Sequence, residues 1–304
     1  MRTILRVVVA IVVLCMAPLS ALADWRDDVK VLRIGYVSSP DPARDAARLE
    51  PFRAYMQQQL SLPVEMIPAT STSVLIGAIG SSRVSYAVMS AGGYITAAAE
   101  CACVEPVAVP AAFDGSTGFH ALLLARADGD IQSLADTTGA RLALSADDSL
   151  AGRLIPLKAF AALGIDPATH FAALYKSDGP QAAIQALLDG RADLAVAWSS
   201  LAGDRAAGYS FGILADMVQA GTLTMDQVRV IWQSPLIPFG PHVVRSDMPP
   251  ELKTLILNAL TGMVTADTDA LDAIDPAPYG GGGFVKIGAS DYGAVAALVT
   301  PPGG

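Results

Sequence analysis

The chain has 304 residues, 52% apolar and 16% charged, with 29 acidic against 20 basic side chains and a formal charge of −9. That acidity argues against nucleic acid or an anionic membrane as partner, and three cysteines are too few for a disulfide scaffold. The length supports one large domain or two lobes with buried cores, and we read two.

Arg2 and Arg6 precede the apolar run Val7 to Met16 and the small-residue pattern Ala21-Leu22-Ala23, the form of a secretory signal peptide over residues 1–23. Cys15 follows Leu14 rather than a small residue, so a lipoprotein signal fits poorly, and the run is too short to favour a membrane span. Cleavage after Ala23 leaves 281 of the 304 residues and takes the charge from −9 to −11 through loss of two arginines. The expectation is a soluble monomer in the periplasm.

Val31 to Val37 reads as a buried strand, followed by a loop from Ser38 to Pro42 and a helix from about Ala43 to Leu60. Val64 to Pro68 is a second strand, and the hydroxyl run Thr70 to Ser73 sits where the next helix begins. Tyr86 to Met89 closes at Ser90, Ala91, Gly92 and Gly93, with Tyr94 at the front of an Ala-rich helix. Ser38, Ser73 and Ser90 therefore each stand at a strand end or helix start, where a hydroxyl caps the helix or meets a ligand.

Cys101 and Cys103 lie two apart in AECACVEPVAV, read as a strand edge with both thiols on one face. A bridge across one residue is expected to be strained, so two free buried residues are preferred, with a soft-metal or arsenite thiolate pair as the alternative. Strands follow at Val104 to Val109 and Phe119 to Ala127, and Gly115 to Gly118 between them is a flexible joint suited to a first crossing between lobes.

The strongest grammar lies in RLALSADDSLAGRLIPLKAFAAL, Arg141 to Leu163. A short strand ends at Ser145, and Ser149 is a candidate N-cap for a helix with Leu154, Leu157, Phe160 and Leu163 on one face. N–H groups near Gly152 then point into the loop, an arrangement that favours an oxyanion, unless Asp147 and Asp148 face the same space and oppose it. Phe171 to Tyr175, Asp193 to Ala197 and Val228 to Trp232 are further strands separated by helical stretches, which predicts a largely parallel sheet. A second crossing falls at Ser234 to Phe239, broken by Pro235 and Pro238, and the tail helices Pro249 to Thr265 and Asp291 to Val299 should return to the first lobe. The lobes are thus expected to comprise residues 24–118 plus 234–304, and residues 119–233. An internal echo supports two similar units: Arg83, Ser85, Ala87 and Val88 match Arg191, Asp193, Ala195 and Val196 at constant offset.

Several separated segments together resemble the phosphate, phosphite and phosphonate-binding family of periplasmic solute-binding proteins. They are IGYVSSPDP (34–42), GGY (92–94), GFHALLLAR (118–126), SLAGRLIP (149–156), GRADLAVAW (190–198), WQSPLIPFGPHVVRSDMPPELK (232–253) and GFVKIGASDY (283–292), and their order and spacing carry the likeness. The resemblance implies the α/β type II periplasmic-binding-protein fold: two three-layer α/β/α lobes joined by two crossover segments. It also implies no enzymatic activity, no cofactor or metal, a small anionic ligand, and the permease of an ABC transporter as partner. Ser149, Gly152 and Pro156 match the family's oxyanion helix start, while Leu150 and Ala151 stand where it carries hydroxyls. His120 matches a position near the cleft and Asp193 an acid at a strand start; Trp232, Trp198 and Tyr94 lie near strand ends as candidate walls. The ligand set expected is therefore Ser38, Ser73, Ser90, Tyr94, His120, Ser145, Ser149, Gly152, Asp193 and Trp232. Two other classes stay open: a ligand-presenting partner of a membrane sensor kinase for an arsenite-type oxyanion, favoured by the cysteine pair, and an exported hydrolase, for which no G-x-S-x-G, H-E-x-x-H or P-loop motif is present.

Overall fold

In a computed structural model, residues 25–147, 149–275 and 280–299 are described; the segment read as a signal peptide, Asp148, residues 276–279 and residues 300–304 lie outside them. The first sheet begins with β1 (Leu32–Val37), whose inward residues Leu32, Ile34 and Tyr36 are buried, after a one-turn helix α1 (Trp25–Asp28). Helix α2 (Pro42–Leu60) starts where Asp41 accepts the Arg44 N–H and ends at Ser61 in the left-handed region. It buries Leu49, Phe52, Tyr55, Met56 and Leu60, a helical-spacing stripe of which the last four share a core with Leu32 and Ile34 of β1. Next come β2 (Val64–Ala69), α3 (Thr72–Gly80), β3 (Tyr86–Val88), α4 (Ala91–Cys101) and β4 (Val104–Ala112).

The chain then enters the second sheet with β5 (Gly118–Arg126), β6 (Arg141–Leu144), α5 (Ile155–Ala162), α6 (Pro167–His170) and β7 (Ala173–Lys176). These are followed by α7 (Pro180–Leu188), β8 (Leu194–Ser199), α8 (Ile213–Gln219), β9 (Val228–Gln233) and β10 (Ile237–Pro238). It returns through β11 (His242–Arg245), α9 (Pro250–Ala266), α10 (Thr268–Ile274), β12 (Gly281–Lys286) and α11 (Gly293–Val299). The sheets order as β12-β4-β11-β3-β1-β2 and β10-β5-β8-β6-β7, with β9 also on β5. Because Ile237 and Pro238 still pair with Phe119 and Gly118, the return to the first sheet comes after them.

Four features differ from the sequence reading. The sheets are mixed: β2-β1-β3 and β7-β6-β8 are parallel, and every other pairing is antiparallel. Strands β5 and β11, each arriving from the other sheet, enter beside β8 and β3 in the opposite direction. Second, Cys101 ends α4 instead of lying on a strand; Ala102 turns left-handed (φ 46°) and brings the two Cα atoms to 5.0 Å, where the thiols form a disulfide. The reversal supplies a geometry that an extended i, i+2 pair lacks. Third, residues 150–154 form a π turn before α5, with Leu154 N–H bonded to Ser149 O (3.0 Å). Its wider winding rotates the following face, so Ile155 and Phe160 are buried while Leu154 and Leu163 are exposed. Fourth, α11 is not confined to the first sheet's helices: it also packs on α5, and Val295 shares a core with Ile155 as well as with Leu75 and Ile95.

Candidate functional site

The end of β6 and the start of α7 meet at one cavity of about 370 Å³, lined by Ser145, Ala146, Ser149, Gly179, Pro180 and Trp198 among others. After β6 the chain folds back so that Ser145 N–H bonds Gly152 O (3.1 Å), while Ser149 Oγ accepts the Gly152 N–H (3.1 Å) and caps the π turn. A Cβ on Gly152 would overlap the Ser145 hydroxyl and stand 2.5 Å from Ser145 Cβ and 2.7 Å from Ser149 Oγ, so only glycine fits there. Ser145 is 4% exposed, and its hydroxyl has no hydrogen-bond partner among the described residues. A buried hydroxyl left unpaired costs about 1–3 kcal/mol, which a bound acceptor would recover. Beside it, α7 begins at Gly179 (φ 95°) with no side chain capping its first N–H groups. Two helix starts thus converge on one orphaned hydroxyl, a geometry suited to an oxyanion.

The carboxylate of Asp147 in the same loop is offset by cations. Asp147 takes a hydrogen bond from Lys176 (2.8 Å) and faces Arg153 (3.4 Å), and these partners hold its carboxyl below the usual range. Asp148, expected to oppose an anion, lies outside the described residues.

A second cavity of about 680 Å³ adjoins the first across Phe119, which lines both. It separates the start of α4 (Ser90, Ala91, Gly92) from Leu150 and Leu154 of the π turn, with Ile237 to Gly240 as its floor.

The expected residues divide sharply. Ser145, Ser149 and Gly152 come together as described, and Ser90 lines the second cavity while capping α4 through Gly93 N–H (3.1 Å). Ser38 is committed elsewhere, its Oγ donating to Asp45 (2.9 Å), a nearly buried carboxylate that Ser39 N–H also binds and holds below its usual range. Ser73 is exposed one residue inside α3, because Ser71 is the cap. Tyr94 is buried against Tyr292 (centroids 4.8 Å), where burial pushes its hydroxyl up. His120 Nδ1 lies 2.8 Å from Ser234 O, tying the start of β5 to the end of β9. Asp193 is not at the cavity: it sits before β8, at the far end of the sheet, and takes three bonds from Arg141. Trp232 packs on Phe160 (5.0 Å), and Trp198 instead forms the wall, 5.2 Å from Phe119. Phe119, Gly179 and Pro180 are site residues that the sequence reading left out; the Gly-Pro pair ahead of an apolar-periodic run was the available signal.

The family model for the ABC transporter, phosphonate, periplasmic substrate-binding protein matches residues 34–292, most of the chain. The chain belongs to that family. Among solved structures, XAC2383 from Xanthomonas citri bound to chloride ion is similar at 19% identity and TM-score 0.62, over 89% of this chain and 96% of that one. A binding protein component of an ABC phosphonate transporter from Pseudomonas aeruginosa is 22% identical, with TM-score 0.52, over 89% and 86%. PhnD1 from Prochlorococcus marinus, in complex with methylphosphonate, is 14% identical, with TM-score 0.54, over 88% and 97%. These likenesses establish the two-sheet α/β fold of periplasmic binding proteins, and the family is one of transport proteins.

Proposed function

We propose that this member of the phosphonate-binding family is exported to the periplasm, captures a phosphonate-type oxyanion between two lobes, and delivers it to the permease of an ABC importer. The lobes in this reading meet at crossings near residues 113–117 and 239–241, between β4 and β5 and between β10 and β11. The carrying observation is the buried, unpartnered Ser145 hydroxyl set between the starts of the π turn and α7. Neutral donors of this kind hold an oxyanion without needing a basic protein. The cysteine pair that favoured arsenite sensing is joined as a disulfide and offers no thiolate in that form, which leaves transport as the preferred use.

Protein purified under native conditions from periplasmic extract, then denatured, should release a phosphonate identifiable by mass spectrometry. Release of a sugar, a peptide or a cationic solute as the stoichiometric ligand would contradict this function.

A further inference from the structure

The oxyanion cavity does not end at its donors. An aromatic run leads out of it, from Trp198 to Phe119 (5.2 Å) and on to Phe239 (6.0 Å), and Phe119 is the wall shared with the larger groove. That groove, about 680 Å³, is faced by Ile95, Leu150, Leu154, Ile237, Phe239 and Val299, and Glu100 is the only charged residue lining it among the described residues. Two residues shape it. Leu150 faces the first turn of α4 across it, with Cδ2 at ordinary contact distance (3.8 Å) from where a Cβ on Gly92 would stand. Leu154 is turned out of the core by the π turn and left 39% exposed at the groove edge.

An ion as small as methylphosphonate would engage the donors at Ser145 and Ser149 and leave this apolar space in contact with water. We propose that the groove receives an apolar chain of several carbons attached to the oxyanion head, so that the ligand is a phosphonate with an extended hydrocarbon substituent. This rests on the function proposed above and narrows its substrate class. The head would sit against Ser145 and the two helix starts, the first carbons would cross Phe119, and the chain would lie between α4 and the π turn. Leu150 and Leu154 are then specificity-determining residues.

Calorimetry with methyl-, butyl-, hexyl- and octylphosphonate tests this on the mature protein. Transfer of each methylene from water should tighten binding about fourfold until the groove is filled. Leu154→Asp should flatten that rise, the slope of affinity against chain length being the readout. Leu150→Ser should flatten it as well. An affinity that is level or falling with chain length overturns the proposal, as does tighter binding of 6-aminohexylphosphonate than of hexylphosphonate, which would assign the groove to an amine facing Glu100. Failure of the function itself looks different: no phosphonate of any length would bind.

Discussion

Gly152 and Ser145 share a space that only one of them can fill with a side chain. Gly152→Ala must push the Ser145 hydroxyl aside or open the π turn, because its Cβ would overlap that hydroxyl. We expect a stability loss of about 1–3 kcal/mol in urea titrations and at least tenfold weaker phosphonate binding; unchanged affinity would separate Ser145 from the site. A second residue-scale prediction concerns His242, fully buried between Phe52 and Phe284 with its Nδ1 on the Tyr86 hydroxyl. Burial lowers its pKa from 6.5 to about 3. The unfolded chain therefore binds a proton below pH 6.5 that the folded chain refuses, so this contribution is complete above pH 6.5 and is lost as pH falls toward 3. Between pH 6.5 and 4.5 the loss from this group should be about 2 kcal/mol, and the Tyr86→Phe/His242→Phe double variant should lose correspondingly less. Equal acid sensitivity in both proteins would contradict it. The cradle residues were legible because a strand ending in serine followed by a capping serine is local grammar. Asp193 was not, since its role depends on which end of β8 faces the cleft. It precedes the strand, whereas Trp198 lies five residues on, about 16 Å away in extended chain.

At the scale of elements, α7 contributes its start because Gly179 adopts φ 95°, a left-handed conformation that disfavours a side chain. Gly179→Ala should cost about 1–2 kcal/mol of stability and misalign the uncapped N–H groups, weakening binding with Asp193→Asn as an unaffected control. Denaturation and calorimetry on the two variants check this, and an intact affinity in Gly179→Ala would remove α7 from the site. The long elements were read correctly from periodicity: α2 has an Asp cap, a first-position proline and a five-residue buried stripe. The short strands β11 and β12 were missed. Four residues at β11, entered through prolines, and a glycine-led β12 show too little alternation, and tertiary pairing with β3 and β4 makes them strands. The π turn and the Ala102 reversal were equally invisible, because each is a one-residue change of winding that leaves composition untouched.

For the whole molecule, the echo between residues 83–88 and 191–196 has a structural counterpart. β3 and β8 occupy the same place in the parallel orders β2-β1-β3 and β7-β6-β8, and the residues before them make equivalent bonds, Ser85 N–H to Arg33 O (3.1 Å) and Asp193 N–H to Arg141 O (2.9 Å). Two units of one plan thus point strand ends and helix starts toward a common crease, while α11 spans them by packing on α5. Within that crease we place charge recognition on the second unit, at Ser145. Titration calorimetry of methylphosphonate against wild type and Ser145→Ala tests this most directly. Losing one hydrogen bond to a charged ligand should weaken binding by about 1.5–3 kcal/mol, roughly tenfold to a hundredfold, with folding stability held or slightly raised by removal of an unpaired buried hydroxyl. Equal affinity in the two proteins would contradict the central claim.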